Sequence, residues 1–244
     1  MRQGTREGSR RMSRARGLAL LVALASLAWS AAARGQTVRP DFYVTNGTVN
    51  AQALSGTTLF VGGSFTHVGA PTGSGVPVDT MTGAARAGFP AVNGQIHAAV
   101  SDGAGGWYVV GSFSDVGGVA RQNAARVLAD GTVSPWNPSA NGIVRALTVA
   151  GGTVYLGGEF TTVAGQPRER LAAVDTAAGT PAAWNPGANN VVRALAVRGG
   201  SVLVGGQFTV TGGQARNRLA ALDAATGAAT SSNPNANSTV FALA

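Results

Sequence analysis

Beyond about residue 45, the apolar positions fall in short runs of β-branched and aromatic residues closed by glycine, asparagine or proline. No stretch there carries a helical period. Ile143 to Val149 and Thr153 to Phe160 are two such runs, and Ala150-Gly151-Gly152 between them is a turn signal. The pattern predicts a third strand over Leu171 to Asp175, turning through Thr176 to Gly179, and a fourth around Ala182 to Trp184. The Asn185-Pro186 step that follows suits the exit from an outer strand, because proline cannot donate to a ladder and its predecessor prefers extended geometry.

The same pattern recurs along the chain. Trp136-Asn-Pro-Ser-Ala-Asn-Gly-Ile-Val-Arg-Ala-Leu147 returns as Trp184-Asn-Pro-Gly-Ala-Asn-Asn-Val-Val-Arg-Ala-Leu195, and in altered form from Ser232 to Leu243, with an earlier copy starting at Asn93. A second landmark, glycine-any-phenylalanine, ends at Phe65, Phe113, Phe160 and Phe208, which are spaced 48, 47 and 48 residues apart. Two independent markers with one period define units at 46–92, 93–140, 141–188 and 189–236, followed by a partial unit at 237–244. Four antiparallel strands in a tandem repeat of roughly 40 to 50 residues are the mark of a propeller blade. The expected fold class is therefore all-β: a β-propeller of four-stranded blades, with four units in an open arc. The arc is expected to be completed by further repeats or by a partner. A single blade cannot cover its own faces, so the phenylalanine column and the Trp136 and Trp184 column are expected to pack blade against blade.

The run from Gly157 to Asp175, Gly-Gly-Glu-Phe-Thr-Thr-Val-Ala-Gly-Gln-Pro-Arg-Glu-Arg-Leu-Ala-Ala-Val-Asp, resembles the delta-sixty type of bacterial β-propeller repeat. That repeat is in turn similar to the propeller of fungal cortical polarity-marker proteins. The resemblance recurs from Gly205 to Asp223 and extends over the repeats, although the first two units depart from it. Gly73 stands where Arg121, Arg168 and Arg216 stand elsewhere, and Leu128 replaces the aspartate found at Asp175. The resemblance implies a propeller and an exported or surface-attached location, and it brings no catalytic residue.

Composition agrees with a turn-rich globular body: 36 glycines and 10 prolines in 244 residues exceed the usual combined share of about 12%. The formal charge of +8 invites a nucleic-acid reading. Yet six of the 18 arginines lie in the first sixteen residues, and the 12 from Arg34 onward face nine acids over some two hundred residues, so no phosphate-binding patch is expected. The basic start, the apolar run Gly17 to Trp29 and the small residues Ala31-Ala32-Ala33 follow the order of a secretory signal peptide over 1–33, with Met12 an alternative start. Residues 34–45 would be a lead-in. An apolar run of about thirteen residues is too short to span a bilayer, so no transmembrane segment is expected in the mature chain. The sequence contains no cysteine, hence no disulfide framework.

His67 and His97 stand in no metal-ligand spacing, no serine elbow precedes a helix, and neither a metal nor a cofactor is implied. Asp79, Asp175 and Asp223 recur at turns, where their side chains can accept from amides two residues on. Glycine pairs such as Gly62-Gly63 and Gly157-Gly158 read as close packing or a bulge rather than a phosphate loop. Arg168, Arg170, Arg216 and Arg218 suggest inter-blade ion pairs and loop caps involving Glu169 and Asp223.

One column varies while everything around it repeats. It lies four residues after each leading asparagine and comprises Asn50, His97, Arg145, Arg193 and Phe241. Strand alternation puts it on the face of Leu147 and Leu195, between blades near one rim. If it opens toward the channel instead, His97, Arg145 and Arg193 are candidate ligand-binding residues, and the adjacent arginines suit a carboxylate or sulfate. The sequence thus points to an exported, noncatalytic binding or structural module for a protein or polysaccharide ligand. The competing class is a carbohydrate-active lyase or hydrolase with its site at the channel mouth. A glycosidase needs two carboxyls at a defined separation, and most of the nine acids after the leader sit at repeat turns.

Overall fold

Valine, leucine, tyrosine and threonine pack well on a pleated surface, and the runs that contain them become the strands. A computed structural model describes residues 45–243, apart from 46, 66, 69, 72 and 73. The expected leader over 1–33 and all of the lead-in except Thr45 lie outside the described residues. Each unit forms an antiparallel blade with its second strand in the middle. The first blade is β1 (Thr48–Ser55), β2 (Thr58–Ser64) and β3 (Gly75–Asp79). The second is β4 (Val92–Ser101), β5 (Trp107–Val116) and β6 (Ala124–Val127). The third is β7 (Val144–Ala150), β8 (Thr153–Gly158) and β9 (Leu171–Asp175). The fourth is β10 (Val192–Arg198), β11 (Ser201–Gly206) and β12 (Leu219–Asp223).

The fourth strand expected in each blade is reduced to a single bridge, at Val78 with Ala85, Val127 with Val133, Val174 with Pro181 and Leu222 with Ala229. In the third blade Pro181 has no amide to donate, so the ladder stops after Ala182 N–H donates to the Ala173 carbonyl at 2.8 Å. The chain then leaves the sheet and carries an aromatic side chain across to the next blade. Trp136 and Trp184 are 0% and 3% exposed and occupy equivalent places, as expected. Trp136 meets Tyr108 edge-on at 5.0 Å and Trp184 meets Tyr155 at 5.1 Å. Their indole N–H groups donate to the carbonyls of Asp175 and Asp223 in the following blade, at 2.8 and 3.0 Å. Phe89 against Phe60 is the first-blade version of the same device. Phe65, Phe113, Phe160 and Phe208 are all buried.

The first strands run side by side through the series, β1 by β4, β4 by β7 and β7 by β10. Among the described residues the first strands of the first and fourth blades do not pack together as those of consecutive blades do, and the four blades form an open arc. Consecutive blades interlock through a repeated notch. Gly62 and Gly157, the first glycines of the recurring pairs, receive Ile96 and Val192 from the next first strand, and Gly205 receives Val240 from the segment that follows the fourth blade. A β-carbon on any of the three would come within 2.5 to 2.8 Å of that side chain.

The turn aspartates behave as expected: the Asp175 carboxylate accepts from the amides of Ala177, Ala178 and Thr180, and Asp79 and Asp223 do the same at their own turns. The Ala178 amide above all, with those of Thr180 and Ala177, holds the Asp175 carboxyl down at about 2 against the opposing effect of desolvation. In the second blade, where Leu128 stands at this position, Asp130 accepts from the Thr132 amide at 2.9 Å, while Asp102, in the hairpin between β4 and β5, pairs with Arg126 at 2.8 Å. The arginine set is corrected in one respect. Arg121, Arg168 and Arg216 make no ion pair and instead donate to the carbonyls of Ser134, Ala182 and Thr230 in their own blades. Arg170 and Arg218 reach the carbonyls of Ala188 and Ala236, and among the described residues Arg170 pairs with an acid, its neighbour Glu169.

Candidate functional site

Every first strand leaves one residue out of its ladder with the middle strand; in the second blade a further slip between Asn93 and Gly94 leaves Ser114 of β5 unpaired as well. The register slips between Val49 and Ala51, between Ile96 and Ala98, between Val144 and Ala146, and between Val192 and Ala194. The unpaired residues of the first strands are Asn50, His97, Arg145 and Arg193, the variable column itself. A bulge leaves one residue outside the ladder and re-aims its side chain, which cancels the alternation that assigned this column to the space between blades. The four side chains, with Phe241, line one cavity of about 330 Å³ on the first-strand side of the arc.

The glycine of each glycine-any-phenylalanine landmark makes the bulge possible. At Gly63, Gly111, Gly158 and Gly206 an added β-carbon would lie only 1.9 to 2.2 Å from the carbonyl oxygen of Thr48, Gln95, Ile143 or Val191. No side chain fits against backbone at that distance, so the landmark glycine, the bulge and the aim of the column residue are one device.

The middle residue of the landmark stands beside the column. Glu159 N–H donates to the Ile143 carbonyl at 2.8 Å, and its carboxylate accepts from Nε and Nη2 of Arg145. In the next blade Gln207 N–H donates to the Val191 carbonyl at the same 2.8 Å. Asn50 Nδ2 reaches Ser64 Oγ at 3.5 Å, a marginal contact. Arg193, with no acid in the equivalent place, lies over the Phe241 ring at 5.3 Å, and its buried Nε has no hydrogen-bond partner. His97 is half-buried; desolvation and then the positive charge of Arg145 push its pKa below the usual imidazole value, against a smaller opposing pull from Glu159. The cavity therefore carries the charges of Arg193 and of Arg145, the latter paired with Glu159, around an imidazole that favours its neutral form.

Sequence reasoning found the column but missed Glu159 and Gln207. Their signal was the variable middle position of an otherwise fixed landmark: Ser64, Ser112, Glu159 and Gln207. Among the described residues no group of three or more histidine, cysteine, aspartate and glutamate side chains is placed to hold a metal ion.

Residues 105–133 and 200–228 match the family described as a domain of unknown function (DUF5122) beta-propeller. The chain is built of β-propeller repeats. Both matches cover equivalent parts of the second and fourth blades, from the entry to the middle strand to the turn after the third strand. No curated protein matches in sequence. Among solved structures, the computationally designed Ika8 protein is similar with a TM-score of 0.51 at 15% identity, over 83% of this chain and 68% of its own. The computationally designed Ika4 protein has a TM-score of 0.50 at 15% identity, over 78% of this chain and 98% of its own. BamB from Moraxella catarrhalis has a TM-score of 0.49 at 17% identity, over 77% of this chain and 50% of its own. Likeness at these identities concerns the fold. Among the described residues no helix is long and apolar enough to cross a membrane.

Proposed function

We propose that the protein is an exported, noncatalytic β-propeller that binds its ligand in the cavity lined by Asn50, His97, Arg145, Arg193 and Phe241, acting at the bacterial envelope or outside the cell. The observation that carries this reading is the bulge in four consecutive blades, which delivers to one cavity a column that varies while the framework repeats. A repeat that keeps its packing residues and varies its cavity residues uses the framework as scaffold and the cavity for recognition. Binding is favoured over turnover because Glu159 is engaged by Arg145, and a glycosidase pair needs a second carboxyl facing it. The delta-sixty resemblance, its likeness to the fungal polarity-marker propeller and the leader over 1–33 support export and a role at a surface.

The test is a panel of polysaccharides and peptides presented to the purified protein, with binding and product release measured separately. Saturable binding without product release is expected. Product release that Glu159→Gln abolishes would replace this reading with the carbohydrate-active enzyme. N-terminal sequencing of exported material tests the leader: a start near residue 34 is expected, and a start at Met1 or Met12 contradicts it.

A further inference from the structure

The third and fourth blades present the same arginine in two electrostatic conditions. Arg145 and Arg193 occupy the same bulge, and the residues beside them, Glu159 and Gln207, make the same backbone bond at the same 2.8 Å. Arg145 is neutralised from within its own blade by a carboxylate. In the fourth blade Gln207 stands in the place of that acid, and Arg193 lies over the Phe241 ring. Glu159 thus shows what the position next to a column arginine accepts, and the fourth blade has left that position open for an external group.

The remaining lining narrows the class. The charges of Arg145 and Glu159 cancel, leaving one net positive charge on Arg193. A guanidinium pairs best with a planar carboxylate that takes two parallel hydrogen bonds. Phe241, 69% exposed, offers an apolar ring surface beside Arg193, while Asn50 and His97 offer hydrogen-bonding groups that suit hydroxyls. One carboxylate, one apolar face and several hydroxyls within about 330 Å³ describe a single acidic sugar residue. We propose that the cavity binds a uronic-acid residue of an acidic polysaccharide, with Arg193 holding its carboxylate in the place that Glu159 fills for Arg145. This rests on the cavity being the ligand site.

Isothermal titration calorimetry of the whole protein with galacturonate oligomers tests it, with neutral galactose oligomers and a poly-glutamate peptide of similar length as references. The uronate oligomers are expected to bind at least about tenfold more tightly than either reference. Arg193→Gln is expected to weaken uronate binding at least about tenfold. Gln207→Glu, which supplies Arg193 with the internal carboxylate that Arg145 already has, is expected to weaken it as much while leaving the unfolding midpoint in place. Glu159→Gln, by releasing Arg145, is expected to tighten it. Uronate binding that neither Arg193→Gln nor Gln207→Glu weakens would overturn the assignment of Arg193 while the cavity remains a binding site. Tighter binding of poly-glutamate would overturn the sugar. Absence of binding to every member of the wider panel would remove the binding reading itself.

Discussion

At the scale of single residues, the molecule separates side chains that hold blades together from side chains that face the cavity. Trp136 and Trp184 belong to the first kind: each ring is buried against the next blade and each indole N–H is satisfied there. Removing either ring with alanine is expected to cost about 3 to 5 kcal/mol, read as a lowered denaturant midpoint. Trp184→Phe keeps most of the apolar contact but removes the indole donor to the Asp223 carbonyl, which keeps the Gly227 amide, and should cost about 1 kcal/mol from the lost bond beyond the change in packing. His97 belongs to the second kind. Its pKa is depressed in the fold, so the unfolded chain binds the proton first; its stabilising effect is complete above the ordinary value of 6.5 and is lost as pH falls through the depressed value. Thermal midpoints measured between pH 7 and 5 should therefore fall, and His97→Asn should flatten that part of the curve. An unchanged slope in the variant would assign the decline to other groups.

Strand and hairpin features show two uses of the paired glycines. The first makes a notch for the neighbouring blade, and the second admits the bulge that turns a side chain into the cavity. Gly157→Ala places a β-carbon 2.5 Å from Val192 Cγ1, and overpacking of this kind typically costs about 1 to 3 kcal/mol. The double variant with Val192→Ala should recover part of that loss. A double-mutant cycle measured by equilibrium unfolding checks the coupling, and additive costs would show that the two positions do not meet. Gly158→Ala is a different case: its β-carbon would approach the Ile143 carbonyl oxygen at 2.1 Å, so the bulge itself must shift. Its expected signature is altered binding at Arg145 together with lost stability, whereas Gly157→Ala changes stability alone.

The molecule as a whole is a series of nearest-neighbour interfaces, since each first strand lies beside the next and, among the described residues, the first and fourth blades do not pack as consecutive blades do. Repeats coupled in this way transmit damage locally. Hydrogen exchange after Trp184→Ala should rise most in β9 to β12 and least in β1 to β3; a uniform rise would show that the arc unfolds as one cooperative unit. Acid acts on every blade at once through the turn carboxylates. The amides around Asp175 hold it near 2, and Asp79 and Asp223 are lowered by equivalent bonds, led by those from Thr82 and Thr226. These carboxyls are depressed in the fold, so their contribution is present above 3.8 and is lost as pH falls toward about 2. A second, steeper decline of the thermal midpoint below pH 4 is expected, and Asp175→Asn should lessen it.

The repeat period, the propeller, the strands of each blade, the buried tryptophans and the turn aspartates were legible in the sequence. Each depends on local chemistry or on a side chain whose only stable place is a covered face. The fourth strand was not legible as a bridge, because whether Pro181 ends a strand or merely touches one depends on where Trp184 must go in the next blade. The cavity was not legible either. Alternation along an ideal strand sends Arg145 and Arg193 to the face of Leu147 and Leu195, and one unpaired residue in the ladder reverses that outcome. The bulge is decided by the approach of two strands to within 2.2 Å of an absent β-carbon, a distance that no single run of residues specifies. The sequence determined which residues recur and which vary; only the packing of strand on strand decided that those that vary face one another across a single cavity.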